Sequence, residues 1–292
     1  MHIDVNGTRL WFDVVGPALV PVGSEMRQRP TVVLVHGGPG TYDHSYFKPD
    51  FDRLADHAQV VYLDLRGHGR SDWGDTDSWS FETCADDIRM FCDKLGIARP
   101  IALGHSMGSP IVLLYGARHP GHAAGLVVQS GFSRWDASRI VEGFRRVAGD
   151  EVAEIAGRAY AGESVPDEEW ARVYSAFGPH LPDQERKART PQNLELNSHG
   201  MDLVRELDFV DQLSRIDSPT LVSVGDLDPV TPIAAAEEIV GALPDGIAQL
   251  EIFEGAGHFT WLDTPDRYWP RIIEFIGTTS DANPSRRERH TR

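Results

Sequence analysis

The chain has 292 residues, 41% of them hydrophobic and 25% charged, which is typical of a globular protein and outside the ranges of disordered or fibrous chains. Its formal net charge is −16, from 44 acidic and 28 basic residues, so nucleic-acid phosphates and anionic membrane surfaces would repel it. No stretch approaches the roughly 18 apolar residues of a membrane span, and the first residues do not resemble a signal peptide. We therefore expect neither nucleic acid nor a membrane as a partner.

The two cysteines point to a reducing compartment. Cys84 and Cys92 fall on one predicted helix, eight residues apart. At about 1.5 Å of rise per residue they lie roughly 12 Å from each other, too far for a disulfide. We expect free thiols and a cytoplasmic protein.

Short apolar runs alternate with segments of helical periodicity along most of the chain. Residues 2–15 alternate around Asn6-Gly7, which predicts a β-hairpin. Further strands are predicted at 31–36, 60–65, 100–103, 125–129, 220–224 and 249–253. Helices are predicted at 82–95, 111–118, 233–243 and 265–276. This alternation indicates the α/β class, with a mainly parallel central sheet flanked by helices.

The alternation stops between residues 132 and 212. This segment is rich in Arg, Glu and Ala and is interrupted by Gly and Pro. It predicts a helical cap inserted into a core formed by residues 1–131 and 213–278, and the sequence leaves open whether the cap is an independent domain. Residues 279–292 are polar and basic at the end, and we expect them to form a disordered tail.

The pattern Gly104-x-Ser106-x-Gly108 lies between an apolar strand and an apolar helix. A sharp strand-to-helix turn of this kind exposes the serine hydroxyl, and glycines on both sides avoid clashes there. Because a serine needs a base to become nucleophilic, the pattern predicts a serine nucleophile at Ser106 with a histidine nearby.

The loops after two later strands carry the expected partners. Asp228 follows the strand at 220–224, and His258 follows the strand at 249–253, which gives the order nucleophile, acid, base. Asp226 competes for the role of the acid, and we favour Asp228 because Pro229 stiffens its turn. His105, beside the serine, is expected to pack or hydrogen-bond behind the turn.

Two backbone amides are expected to bind the oxyanion of a tetrahedral intermediate. One belongs to Met107, directly after the serine. The other comes from the Gly-rich loop at 36–40, where Gly38 is the preferred donor. The sequence contains no pattern typical of zinc ligands or of a dinucleotide site, so we expect no metal and no cofactor.

The order of these motifs resembles the α/β-hydrolase superfamily over nearly the whole chain. The segment His36-Gly37-Gly38-Pro39-Gly40 is similar to a hallmark of the prolyl iminopeptidase family, and the segments 64–71 and 225–232 resemble further blocks of that family. The resemblance implies an aminopeptidase that releases an N-terminal residue, preferentially proline, from a small peptide or amide. It also implies that cap carboxylates pair with the free amine of the substrate.

Among the cap carboxylates we favour Glu195 as the amine contact, with a solvated helix residue as the alternative interpretation. Glu169 and Glu206 are weaker candidates. The sequence departs from the family at Met107, where tryptophan is usual, and at His105, where glycine is usual. A small-molecule ester, lactone or amide hydrolase therefore stays open, as does a ligand-binding protein or acyltransferase of the same fold. The oligomeric state also stays open.

Overall fold

The structure, a computed structural model, describes residues 1–281. The strands are β1 (His2–Val5), β2 (Thr8–Val15), β3 (Leu19–Val22), β4 (Glu25–Gln28), β5 (Thr31–Val35), β6 (Gln59–Leu63), β7 (Ile101–His105), β8 (Gly125–Gln129), β9 (Thr220–Gly225) and β10 (Ala248–Phe253). The helices are α1 (Phe81–Leu95), α2 (Gly108–Arg118), α3 (Ala137–Ala148), α4 (Asp150–Tyr160), α5 (Asp167–Ser175), α6 (Gln184–Arg189), α7 (Leu194–Arg205), α8 (Ile233–Ala242), α9 (Thr260–Asp263) and α10 (Pro265–Asp281). None of these helices is long and apolar enough to cross a membrane.

Eight strands form one sheet in the order β1-β2-β6-β5-β7-β8-β9-β10. The pairs from β6 to β10 are parallel, whereas β1 and β2 run antiparallel at one edge. The central strands β5, β7 and β8 are buried along their whole length, because apolar side chains lie on both faces of the sheet. The predicted α/β architecture is thus confirmed.

The N-terminal hairpin turns at the predicted dipeptide. Asn6 and Gly7 both have positive φ, 46° and 73°, as a type I′ turn requires. A second hairpin, formed by β3 and β4, was not predicted from the sequence. Its residues are mostly exposed, so it lacks the half-buried alternation by which strands are recognised.

Five helices, α3 to α7, lie between β8 and β9 in the segment predicted as the cap. The final helix α10 extends to Asp281. The prediction of a disordered tail from residue 279 is therefore wrong for residues 279–281, where the backbone continues the helix and Thr279 is buried. Residues 282–292 of that prediction lie outside the described residues.

Both cysteines occupy α1, are buried and form no disulfide. The apolar face of α1 packs against the sheet, and both thiols belong to that face.

Candidate active site

Ser106 occupies the sharp turn between β7 and α2. Its φ is 53°, in the left-handed region that is costly for a residue with a side chain. The flanking glycines make this turn possible: a Cβ at Gly104 would lie 2.2 Å from the carbonyl oxygen of Gly108, and one at Gly108 would lie 2.2 Å from that of Val35. Such strain in an over-determined turn is typical of functional sites.

Asp228 and His258 form a buried pair in the loops after β9 and β10. Nδ1 of His258 lies 2.8 Å from Oδ2 of Asp228, and the two side chains are 3% and 0% exposed. Asp228 also accepts hydrogen bonds from the amides of Val230 and Thr231 and from the Thr231 hydroxyl. Burial alone would raise the pKa of Asp228, but His258 and the Thr231 hydrogen bonds outweigh it, so the pKa lies below its usual value. The carboxylate is therefore ionised and holds the imidazole in a fixed orientation.

Asp226 has a different environment. Its Oδ1 accepts a hydrogen bond from the amide of Gly255 at 2.7 Å, which ties the loop after β9 to the loop after β10. The structure thus brings Asp228, and not Asp226, into contact with His258.

His105 lies behind the turn, as the sequence indicated. Its Nε2 is 2.8 Å from the carbonyl oxygen of His258, and its Nδ1 contacts the hydroxyl of Tyr46. Since a carbonyl only accepts, Nε2 must carry the proton and Nδ1 must accept from Tyr46. Burial, and then the nearby His258, hold the pKa of His105 well below its usual value, so this ring is neutral. Ser130 donates a second hydrogen bond to the same His258 carbonyl, at 3.0 Å.

The serine and the two proposed oxyanion donors meet at the carboxyl ends of β5 and β7. A Cβ at Gly37 would lie 3.0 Å from Cβ of Ser106, which shows how closely the loop after β5 approaches the serine. Within residues 1–281, the Ser106 hydroxyl makes no hydrogen bond to His258, and the amides of Gly38 and Met107 donate none. The hydrogen bond between a catalytic nucleophile and its base is often long or poorly aligned before substrate binds. Unpaired amides beside a serine are the kind of donors that an oxyanion requires.

The glycine-rich loop after β5 is held from two sides. His68 accepts a hydrogen bond from the amide of Gly40 at 2.7 Å. From the cap, the backbone N–H of Asn193 donates to the Gly40 carbonyl at 2.7 Å, and the side-chain amide of Asn197 donates to the Pro39 carbonyl at 2.8 Å. These anchors have no local signal in the sequence, because the contact between α7 and the loop joins residues that are far apart in the chain.

Glu195 lies on the surface of the protein. It is exposed in the first turn of α7, and its carboxylate accepts a hydrogen bond from the Thr76 hydroxyl at 3.3 Å. The neighbouring Leu196 is buried, and one residue corresponds to about 100° of rotation around a helix, so Glu195 and Leu196 point in different directions from the α7 axis. An exposed carboxylate is what the alternative interpretation, a solvated helix residue, expects, and the role of Glu195 as the amine contact stays a prediction. Of the weaker candidates, Glu169 pairs with Arg158 and Glu206 is exposed.

The cap covers His258 with aromatic rings. Phe177 lies 5.4 Å from the His258 ring, and its carbonyl accepts the His258 amide at 2.6 Å. Phe144 and Tyr174 pack against Phe177 at 6.1 and 5.1 Å. The base is therefore shielded from water by apolar surface on the cap side.

One group in residues 1–281 has the ligand types of a cation site, namely Asp43, His44 and Asp64. Oδ1 of Asp64 already accepts from the amide and from Nδ1 of His44, at 2.8 and 2.7 Å, and Oδ2 accepts from the amide of Arg70. Both carboxylate oxygens of Asp64 thus serve in hydrogen bonds that join the loops after β5 and β6.

The comparisons with known proteins agree with this architecture. Residues 30–265 match the family model described as alpha/beta hydrolase fold. The chain belongs to the α/β-hydrolase family. This α/β-hydrolase is 23% identical over 298 residues to a proline iminopeptidase of Heyndrickxia coagulans. The alignment covers 94% of this chain and 98% of that protein. It is 28% identical over 259 residues to a putative carbamate hydrolase, RutD, of a Caulobacter species, with 87% of this chain and 93% of that protein covered.

Among solved structures, the α/β-hydrolase resembles a proline iminopeptidase of Mycobacterium smegmatis. The TM-score is 0.77 at 20% identity, with 96% of this chain and 98% of that chain covered. At this identity the likeness establishes the fold, and the activity of this α/β-hydrolase has to be argued from its own residues.

Proposed function

We propose that this α/β-hydrolase is a serine hydrolase that cleaves an acyl bond, with Ser106 as nucleophile, His258 as general base and Asp228 as the residue that orients the base. The observation that supports this best is the buried Asp228–His258 pair of 2.8 Å, beside a serine held at φ 53°. These three residue types in these relative positions are the components of nucleophilic acyl transfer.

In the proposed reaction, His258 takes the proton of the Ser106 hydroxyl through Nε2 while the oxygen attacks the substrate carbonyl. The oxyanion of the tetrahedral intermediate binds to the amides of Gly38 and Met107. His258 then gives its proton to the leaving group, and an acyl-enzyme forms. Water, activated by the same histidine, hydrolyses that ester and returns Ser106 to its starting state.

Within this class, the first candidate is an aminopeptidase of the prolyl iminopeptidase type, acting on small peptides. The Gly-rich segment at 36–40 and the names of relatives at 22–27% identity support it. The second candidate is a hydrolase of small esters, lactones or amides. The surface position of Glu195 favours this second candidate, because the carboxylate expected to bind a free amine is exposed and accepts from the Thr76 hydroxyl. The cytoplasm remains the proposed compartment, on the basis of the two free thiols.

Steady-state hydrolysis of three substrates distinguishes the candidates. These are proline p-nitroanilide, its N-blocked counterpart and a short-chain p-nitrophenyl ester, each tested with the wild type and with Ser106→Ala. Turnover of the free-amine substrate alone, abolished in the variant, supports the iminopeptidase. Turnover of the ester alone rejects it in favour of the second candidate. Turnover that survives Ser106→Ala contradicts the serine mechanism itself.

A further inference from the structure

Lys187, in cap helix α6, is a cation without an anionic partner among residues 1–281. The chain contains three lysines, Lys48, Lys94 and Lys187. Lys48 pairs with Asp13 at 2.6 Å, and Lys94 donates to the carbonyl of Asp4 at 2.5 Å. Within residues 1–281, the Lys187 ammonium forms neither an ion pair nor a hydrogen bond, although the chain as a whole carries 44 acidic residues.

Two tyrosines surround this ammonium. Nζ of Lys187 lies 3.8 Å from the ring centroid of Tyr174 and 5.1 Å from that of Tyr42. The two tyrosine hydroxyls are 3.1 Å apart. Cation–π contacts of this kind hold an ammonium in place, but they provide no acceptor for its three N–H groups. Burial lowers the pKa of Lys187, as is expected for an ammonium with no carboxylate beside it.

Lys187 lines a cavity of about 380 Å³. Among the other residues that line it, Tyr42 and Tyr46 lie between the cavity and residues of the candidate active site. A Cβ at Gly38 would lie 2.3 Å from the Tyr42 ring, and the Tyr46 hydroxyl contacts Nδ1 of His105. From the other side, Tyr174 packs on Phe177, which in turn packs on His258. Tyr42 thus lies between the unpaired ammonium and Gly38, the proposed oxyanion donor. Tyr174 and Phe177 lie between the ammonium and His258, the proposed base.

The other cations that line the cavity, Lys48 and Arg186, lie beside carboxylates. Arg186 donates to the Ser45 carbonyl at 3.2 Å and lies 3.8 Å from Asp183. Asp183 accepts the amides of Glu185 and Arg186 at the start of α6. Asp50 also lines the cavity, and no ion pair within residues 1–281 joins it to Lys187. Lys187 is thus the lining cation without an ion pair in the described part of the chain, and a single ammonium matches one carboxylate better than a dianionic phosphate.

We propose that Lys187 binds a carboxylate of the substrate, so that this hydrolase acts on acyl compounds that carry a carboxylate away from the bond to be cleaved. The proposal rests on the serine hydrolase function proposed above. The carboxylate belongs either to the leaving group, as in a dipeptide with a free C-terminus, or to the acyl group, as in a half-ester of a dicarboxylic acid.

Two pairs of substrates test the proposal and distinguish these sources. The first pair is prolyl-alanine and prolyl-alanine amide, and the second is mono-p-nitrophenyl adipate and p-nitrophenyl hexanoate. We expect Lys187→Met to lower kcat/KM about tenfold for the carboxylate-bearing member of one pair, while the neutral member stays within about twofold, since one charge-assisted hydrogen bond is lost. Lys187→Arg should retain the preference. Lys48→Met is the matched control, because Lys48 lines the same cavity but is paired with Asp13.

A carboxylate preference that is unchanged in Lys187→Met, or an equal loss for both members of each pair, overturns the proposal and leaves Lys187 as a structural contact of the two tyrosines. If the wild type hydrolyses none of the four compounds, the serine hydrolase function fails for these substrates, and calorimetric titration decides the Lys187 site separately. Adipate should then bind to Ser106→Ala, and 1,6-hexanediol should not. The site would be rejected if adipate bound as tightly to the double variant Ser106→Ala/Lys187→Met as to Ser106→Ala. It would also be rejected if adipate bound to neither protein.

Discussion

At the scale of single residues, the two aspartates of the loop after β9 differ in their hydrogen-bond partners. Asp228 contacts Nδ1 of His258 and is fully buried, whereas Asp226 fixes the backbone of Gly255. A carboxylate beside the imidazole selects the tautomer that leaves Nε2 free to accept a proton, and it stabilises the imidazolium that forms. The roles of these two neighbours are therefore separable by the same isosteric substitution.

We predict that Asp228→Asn lowers kcat by about 10⁴-fold, because the amide no longer stabilises the imidazolium or enforces the tautomer. Asp226→Asn should change kcat by less than about fivefold, since its side-chain oxygen still accepts the Gly255 amide. Steady-state hydrolysis of any accepted ester or amide measures both, with circular dichroism to verify folding. Comparable losses in the two variants would contradict the assignment of Asp228.

At the scale of elements, the cap and the core meet at the Gly-rich loop after β5. Gly40 has φ +66°, and a Cβ there would lie 2.2 Å from the carbonyl oxygen of Asn193, at the start of α7. Gly23, in the turn between β3 and β4, has a similar φ of +62° but no atom within 4 Å of the same Cβ position. The two glycines share a left-handed φ, and of the two only Gly40 contacts the cap within residues 1–281.

Alanine at each glycine separates these contributions. Gly23→Ala should cost about 1 kcal/mol of the free energy of unfolding, from the left-handed backbone alone. Gly40→Ala should cost about 3 kcal/mol or more, because the clash with Asn193 forces α7 away from the loop. It should also lower kcat, since Gly38 belongs to the same loop. Urea unfolding and steady-state kinetics provide the two readouts, and equal stability of the two variants would contradict the described contact.

The same junction shows what the sequence predicts and what it does not. The buried strands and the turns at Ser106, Asp228 and His258 were predictable because each depends on a local run of apolar residues followed by turn residues. The orientation of α7 was not, because it depends on packing between Gly200 and Pro39, residues that are far apart in sequence. The face of α7 that meets the core carries Leu196 and Asn197, and Glu195 is left exposed. Lys187 was overlooked for the same reason, since its tyrosine neighbours come from distant segments.

At the scale of the whole molecule, several buried histidines make stability depend on pH. His68 is buried, donates from Nδ1 to the Arg66 carbonyl and accepts the Gly40 amide at Nε2. Burial, followed by repulsion from His36, lowers its pKa to about 3. Burial also lowers the pKa of His36 and His105. All three rings are neutral in the native state at pH values where an unfolded histidine, with a pKa of about 6.5, takes up a proton.

The sign of the pH dependence follows from this difference. Above about pH 6.5 neither state binds the extra proton, and the full stability is present. As the pH falls below 6.5, these histidines bind protons in the unfolded chain but stay neutral in the native state. The free energy of unfolding therefore decreases, and for His68 this decrease continues until the pH reaches its native pKa of about 3. Asp64 and Asp228, whose native pKa values lie below the usual range, add a further loss at more acidic pH.

His68→Gln isolates one of these groups, because glutamine keeps a donor and an acceptor but does not titrate. The variant should be less stable than the wild type at pH 7.5, where its altered hydrogen bonds are the main difference. Between pH 7.5 and 5.5, however, it should lose about 1.4 kcal/mol less than the wild type, which is the free energy of protonating one unfolded histidine one pH unit below its pKa. Urea unfolding of both proteins at the two pH values gives this double difference. If both proteins lose the same free energy between the two pH values, His68 titrates alike in the folded and unfolded chains, and the loop at Gly40 is not held by a neutral imidazole.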